Sequence, residues 1–476
     1  MKLYALLLTI VVLSSLFFPL TAATADSSTR TPIRHVINIF FENHTFDNIF
    51  GIYPEKGGST SPQITRPLNL LSNASLLKLL NPVPSGSFST QDPLEGYLPY
   101  HEDWNHGLMN GFRNGSGPQS LYYLTAAQVS PLWDLAEEYA IADNYFSPQI
   151  GESAPNTLYY LAGFSPVMND YGPPPYIPFN ETVFGELSHF GISWGVYVSG
   201  NEKKFDMSQY IEGIREYYGN IGSWQSFLTS LSSGSLPQVS YIFSQDANGY
   251  DMGAPSNILK GELFLLYIVD AVERSSYWNS TAIFITWDDP GGYYDQVPPP
   301  ILNGVQLGFR LPLIVVSPYA KENYVSDTLM THSSIISFID YNWDIPALNP
   351  FVAELPVPLD LFDFSAPYPS GNVARPPLSF TSFPLPQNVE FNLTAAQLNF
   401  NYSSHFPMEP QYNFSSLPYQ ERGESNQTLL NLGFSLFVHR DISITPFYLS
   451  PLFILALVLV NMAILAVLWR RKDGRK

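Results

Sequence analysis

Five short runs along the chain are apolar at nearly every position and rich in Val, Ile and Phe: residues 33–41, 192–198, 238–243, 281–287 and 311–316. Runs of this length without polar alternation predict strands buried on both faces. Beside them lie stretches with helical spacing at 131–142, 158–163, 258–274 and 331–340. Such strands alternating with helices predict an α/β fold with a largely parallel central sheet flanked by helices. Ligands bind beyond the carboxyl ends of the strands in sheets of this kind, so chemistry is expected just after each run.

Two longer apolar runs sit at the ends. Met1-Lys2 precedes a greasy stretch to Leu20 and small residues to Ala25, which predicts a secretory signal over 1–25. The second run, 446–469, is long enough for a transmembrane helix, and the basic tail 470–476 behind it predicts a cytoplasmic end. The body is therefore expected at the cell surface, exterior and anchored by its C-terminal helix. Within it, 26–387 reads as the catalytic domain, and 388–445, dense in Asn, Ser and aromatic residues, as a stalk or small module. Glycosylation sequons at Asn73, Asn114, Asn180, Asn279, Asn392, Asn401, Asn413 and Asn426 fit an exterior location.

Charge and cysteine content narrow the chemistry. There are 22 Lys and Arg against 41 Asp and Glu, a formal charge of −19. Phosphate backbones are held by clustered cations, so a nucleic-acid partner is not expected. An acidic exterior suits a protein working at acid pH, where protonation weakens self-repulsion. With no cysteine, thiolate metal sites, disulfides and cysteine nucleophiles are excluded.

Three segments carry candidate chemistry. Glu42 and Asn43 follow the first run and place two oxygen donors at a strand end, a good arrangement for a hard or borderline dication; a loop with a helix cap is the plainer alternative. Asp288 and Asp289 follow the run 281–287 and precede Pro290-Gly291-Gly292. Adjacent carboxylates repel unless a cation or strong donors neutralise them, although an Asp-Pro-Gly turn also explains the sequence. Ser153 opens a helix in Gly151-Glu152-Ser153-Ala154-Pro155. It reads as a helix cap or as a hydroxyl nucleophile beside a metal, with helix amides available to a phosphate. Among the eight histidines, His101, His106 and His332 are candidates for binding a metal or stabilising a phosphoryl oxygen.

Taken together, these blocks resemble the phosphoesterase family of bacterial-type phospholipases C and acid phosphatases. The block His35 to Gly51, with Phe-Glu42-Asn43-His-Thr, carries the first part of the resemblance; residues 101–112, 142–163, 281–300 and 310–340 follow in order. The resemblance implies an alkaline-phosphatase-like α/β fold and one divalent metal ion of unspecified identity. It implies Glu42, Asn43, Ser153, Asp288 and Asp289 as metal ligands, with Ser153 also the nucleophile and Asp289 where many members have glutamate. It places His101, with His106 as alternative, near the phosphate, and matches His332 to a recurrent histidine. The chain departs from the family at Pro290 and Gln296, where relatives carry histidine, and in 244–253, where they often have one that protonates the leaving group.

The function implied is hydrolysis of phosphate ester bonds, on a soluble monoester or a phospholipid headgroup. Two other classes fit the chain less completely. One is an inactive metal-binding surface module; the other is a cell-envelope structural protein.

Overall fold

The computed structural model describes residues 28–51, 53, 81–82, 88–170, 176–199, 205–244 and 250–365, all within the unit Met1–Asn399. The signal at 1–25, the stalk at 388–445, the span at 446–469 and the tail at 470–476 lie outside the described residues. Among those described, no helix is long and apolar enough to cross a membrane.

All five apolar runs are strands. In chain order the central sheet comprises β1 (His35–Phe41), β2 (Ala140–Ala142), β3 (Trp194–Val198), β4 (Ile221–Ser223), β5 (Val239–Phe243), β6 (Thr281–Trp287), β7 (Leu313–Val316) and β8 (Tyr324–Ser326). Their order across the sheet is β8-β2-β7-β6-β1-β5-β3-β4. Strands β6, β1, β5, β3 and β4 pair parallel, and β7 runs antiparallel to both β6 and β2. The expected α/β architecture with a largely parallel sheet is therefore present. Strands β1, β3, β5, β6 and β7 are buried almost throughout, as their predominantly apolar sequences require.

One helix boundary differs from expectation. The pattern over 131–142 predicts a single helix, whereas α3 spans Ala126–Glu138 and Ala140–Ala142 is β2. Tyr139 leaves helical geometry at φ −129°, and the short Ala-Ile-Ala that follows is buried between β7 and β8. Burial on both sides overrides the local helical preference of alanine.

Three further helices position the site. Helix α1 (Phe46–Phe50) follows β1, with the Thr45 hydroxyl accepting from the Asn48 amide at 3.2 Å. Helix α2 is Tyr97–Trp104, and α4 is Ser153–Ala162, ending at Gly163 with φ +72°. Helix α5 (Val183–His189), α6 (Trp224–Ser233), α7 (Ile258–Glu273) and α8 (Ser333–Trp343) complete the layers.

Behind the site lies a buried charge cluster. Arg310 donates to Asp47 at 2.9 Å, to both Asp295 oxygens at 3.1 Å and to the Asp143 carbonyl at 3.2 Å. Its guanidinium also lies 4.5 Å from the Phe46 ring centroid. The three charged side chains are fully buried, so the fork geometry and hydrogen bonds must offset a large loss of hydration. They tie α1 to the loop after β6 and to the approach to β7. Gln296, one of the family departures, joins them by donating its backbone amide to Asp47 at 2.8 Å.

Candidate active site

A cleft of about 380 Å³ opens beyond the carboxyl ends of β1, β5 and β6. Glu42 and Asn43 line it from the end of β1, Ser244 from β5, Asp288 from β6, and Ser153 from the start of α4. Residues distant in sequence thus meet because parallel strands end on the same side of the sheet.

Ser153 sits between the paired acids. Its hydroxyl donates to Asp289 Oδ2 at 3.4 Å, with Asp288 lining the same cleft beside it. Asp288 Oδ1 accepts the Asp289 amide at 2.8 Å, while Oδ2 is buried with no hydrogen-bond partner. Asp289 is held more fully: Oδ1 accepts from the Gly291 amide at 2.7 Å and from the Tyr100 hydroxyl at 3.2 Å. Gly291 is required here. At φ +57°, a Cβ on it would lie 2.4 Å from the Asn43 carbonyl oxygen.

Asn43 has a φ of 150°, which non-glycine residues seldom adopt. Its Nδ2 donates to Glu95 Oε1 at 2.8 Å, which fixes the amide orientation and leaves Oδ1 buried without a hydrogen-bond partner. Two orphaned oxygens therefore face one cleft, from Asn43 and Asp288. Burial of such acceptors costs about 1–3 kcal/mol each unless a ligand satisfies them.

The surroundings are uniformly acidic. Asp92, Glu95, Asp170 and Asp206 line the cleft with Glu42 and Asp288, and no Lys, Arg or His does so among the described residues. Burial pushes Asp288 up to about 7, with the Ser153 hydroxyl and the Asp289 amide pulling the other way. Glu95 and Asp289 are driven well above the usual carboxylate range, first by burial and then by neighbouring carboxylates. A dication would relieve this repulsion, and carboxylate, amide and hydroxyl oxygens are the donors that hard or borderline dications take. Among the described residues, His, Cys, Asp and Glu alone form no group of three that could hold an ion. The Asn43 amide and Ser153 hydroxyl are needed to complete a set, and the orphaned Asn43 oxygen fits that role.

The histidines stand elsewhere. His332 is fully buried: Nε2 donates to the Asp288 carbonyl at 2.9 Å, and Nδ1 accepts from the Tyr145 hydroxyl at 2.7 Å. Burial depresses it to about 3, so it is neutral and braces the backbone of Asp288 from behind. His101 donates through Nδ1 to the Tyr97 carbonyl at 2.7 Å, its ring tilted against that of Tyr97; His106 is exposed beside Trp104. Neither lines the cleft. From the same helix it is Tyr100, one residue before His101, that reaches Asp289.

The expectation of free helix amides also changes. The Ala154 amide donates to Asp170 Oδ1 at 2.8 Å, and Pro155 has no N–H. Nothing in the sequence marks the acids at positions 92, 95 and 170, because they lie on loops with no apolar run to give their direction. Tyr100 was legible in principle, through its helical spacing with Tyr97 and Trp104.

Residues 33–346 match the Phosphoesterase family. The chain belongs to that family. Its members are hydrolases acting on phosphoric ester bonds, the reaction class expected from the ordered blocks. The chain is 24% identical over 433 residues to the non-hemolytic phospholipase C of Burkholderia pseudomallei, covering 72% of this chain and 61% of that protein. It is 22% identical over 395 residues to phospholipase C B of Mycobacterium tuberculosis, covering 67% and 75% respectively. The chain thus spans less than two thirds of the Burkholderia relative it matches. Among solved structures, one similar chain is a protein in the alkaline phosphatase superfamily from Vibrio parahaemolyticus, with 13% identity, a TM-score of 0.33, and coverage of 59% of this chain and 73% of that one.

Proposed function

We propose that this protein is a metal-dependent phosphoesterase that cleaves phosphate esters through Ser153, displayed outside the cell by a signal at 1–25 and a membrane helix at 446–469. The observation that carries the reading is the placement of the Ser153 hydroxyl against the Asp288–Asp289 pair, beside the orphaned Asn43 oxygen. Three sequons add support for an exterior location, since Asn114, Asn180 and Asn279 are exposed.

Glu42, Asn43, Asp288, Asp289 and Ser153 are the residues that would hold the ion. When bound, a divalent ion supplies Lewis-acid stabilisation of negative charge on the phosphoryl oxygens and eases ionisation of a neighbouring hydroxyl. Asp289 Oδ2 accepts the Ser153 proton, and Ser153 Oγ attacks phosphorus in line, releasing the alcohol and leaving a phosphoserine. Water then attacks phosphorus, freeing phosphate or a phosphate monoester and restoring the hydroxyl. With no histidine lining the cleft among the described residues, the departing oxygen takes its proton from the Asp289 carboxyl or from solvent. Tyr100 and the Gly291 amide hold Asp289 in place for both transfers.

The names of the relatives, phospholipases C, favour a phosphodiester such as a phospholipid headgroup over a monoester. An inactive metal-binding module is the second reading, favoured by the missing family histidines at Pro290 and Gln296. Acid quenching during turnover of a labelled ester, followed by peptide mapping, separates the two. Phosphate on Ser153, absent in Ser153→Ala, is the expected result. Turnover that survives Ser153→Ala, or no turnover with any ester after metal add-back, would reject the mechanism.

A further inference from the structure

Resting on the phosphoesterase reading, we propose that Asp170 is a specificity-determining residue: its carboxylate occupies the anion position at the start of α4 and disfavours dianionic phosphate monoesters relative to monoanionic diesters. Helix α4 begins at Ser153, and its first-turn amides would face any phosphoryl group attacked by that hydroxyl. Of these donors, Ala154 gives its N–H to Asp170 Oδ1 at 2.8 Å, Pro155 has none, and the Asn156 amide reaches back to the Glu152 carbonyl at 3.4 Å. Only the Ser153 amide is left for a phosphoryl oxygen.

Asp170 is itself fixed in place. Its own amide donates to Glu152 Oε2 at 3.0 Å, so the two acids flanking Ser153 brace each other across 18 residues of sequence. Both Asp170 and Ser153 line the same cleft, together with Asn43 and Asp288, whose buried unpartnered oxygens mark it independently as a ligand site. A fixed negative charge at this point acts on the phosphoryl group in two ways. It takes the helix amide that would hold an equatorial oxygen, and it repels charge on phosphorus. The repulsion scales with substrate charge, so a dianion suffers roughly twice the penalty of a monoanion.

Asp170→Asn tests this with little disturbance, because the amide oxygen of Asn still accepts from Ala154. The substrates are p-nitrophenyl phosphate and bis-p-nitrophenyl phosphate, which share a leaving group and differ in charge. Asp170 is exposed, so solvent screens its charge, and the ratio of kcat/KM for monoester over diester is expected to rise by about fivefold in Asp170→Asn. Inorganic phosphate, titrated calorimetrically into both proteins, is expected to bind the variant more tightly by a similar factor. An unchanged substrate ratio with unchanged phosphate affinity would overturn the proposal. If neither substrate is turned over, the phosphoesterase reading fails, and phosphate binding alone decides Asp170: tighter binding in the variant sustains it, and equal binding rejects it.

Discussion

At the scale of single residues, legibility followed position. Glu42, Asn43 and Asp288 could be found because each follows an apolar run that ends at the active face, and Ser153 because it opens a helix. Asp92, Glu95 and Asp170 sit on loops whose sequence has no period, so nothing local assigns them to the cleft. His101 was singled out for its chemistry, yet helical phase turns Tyr100 toward Asp289 instead. Gly291 is the sharpest single-residue test of the cleft's construction. Gly291→Ala places a methyl 2.4 Å from the Asn43 carbonyl, so divalent-metal affinity should fall at least about tenfold while the far-ultraviolet dichroism stays native. Equal affinity in the two proteins would show that Asn43 is not held by this contact. The missing histidines make a second prediction. General acid help contributes about 10²–10⁴-fold where it exists, so rates here should fall steeply as the leaving alcohol becomes more basic. A flat dependence across a series of aryl and alkyl phosphates would mean that an acid does protonate the leaving group.

At the scale of elements, the five long apolar runs announced the sheet, because burial on both faces leaves an unbroken signature. Strands of three residues, such as Ala140–Ala142, Ile221–Ser223 and Tyr324–Ser326, are too short to carry one. The reversed direction of β7 was equally hidden, since apolar sequence does not encode orientation. What joins the elements at the site is the buried Arg310 cluster. Arg310→Leu would leave the Asp47 and Asp295 carboxylates facing each other without a cation, a loss of about 3–5 kcal/mol in urea unfolding. The loss should be smaller at pH 4, because burial and Asp295 already raise Asp47 to about 7 and protonation removes the repulsion. Equal losses at pH 4 and pH 8 would argue against this account of the cluster.

For the molecule as a whole, acidity is built into the interior as well as the composition. Glu186 on α5 faces the Asp340 carboxylate on α8, and burial followed by the Asp340 charge drives Glu186 far above the ordinary carboxylate range. A folded value raised above the unfolded one contributes stability that is fully present below the unfolded value, near pH 4, and is lost as pH rises through the folded value. Stability should therefore decline from pH 4 toward pH 8, and Glu186→Gln should flatten that decline by roughly 1–3 kcal/mol at the upper end. Thermal melts that peak at pH 8 for the wild type, or that keep the same slope in the variant, would contradict this. On the proposed function, side chains from β1, β6 and α4 converge on one cation. Calorimetric titration of metal-stripped protein with Mg²⁺, Mn²⁺, Ca²⁺ and Zn²⁺ tests it most directly, with Asp288→Asn in parallel. One tightly bound ion per chain, weakened at least about a hundredfold in the variant, is the predicted result; no specific binding, or binding unaffected by Asp288→Asn, would contradict the account.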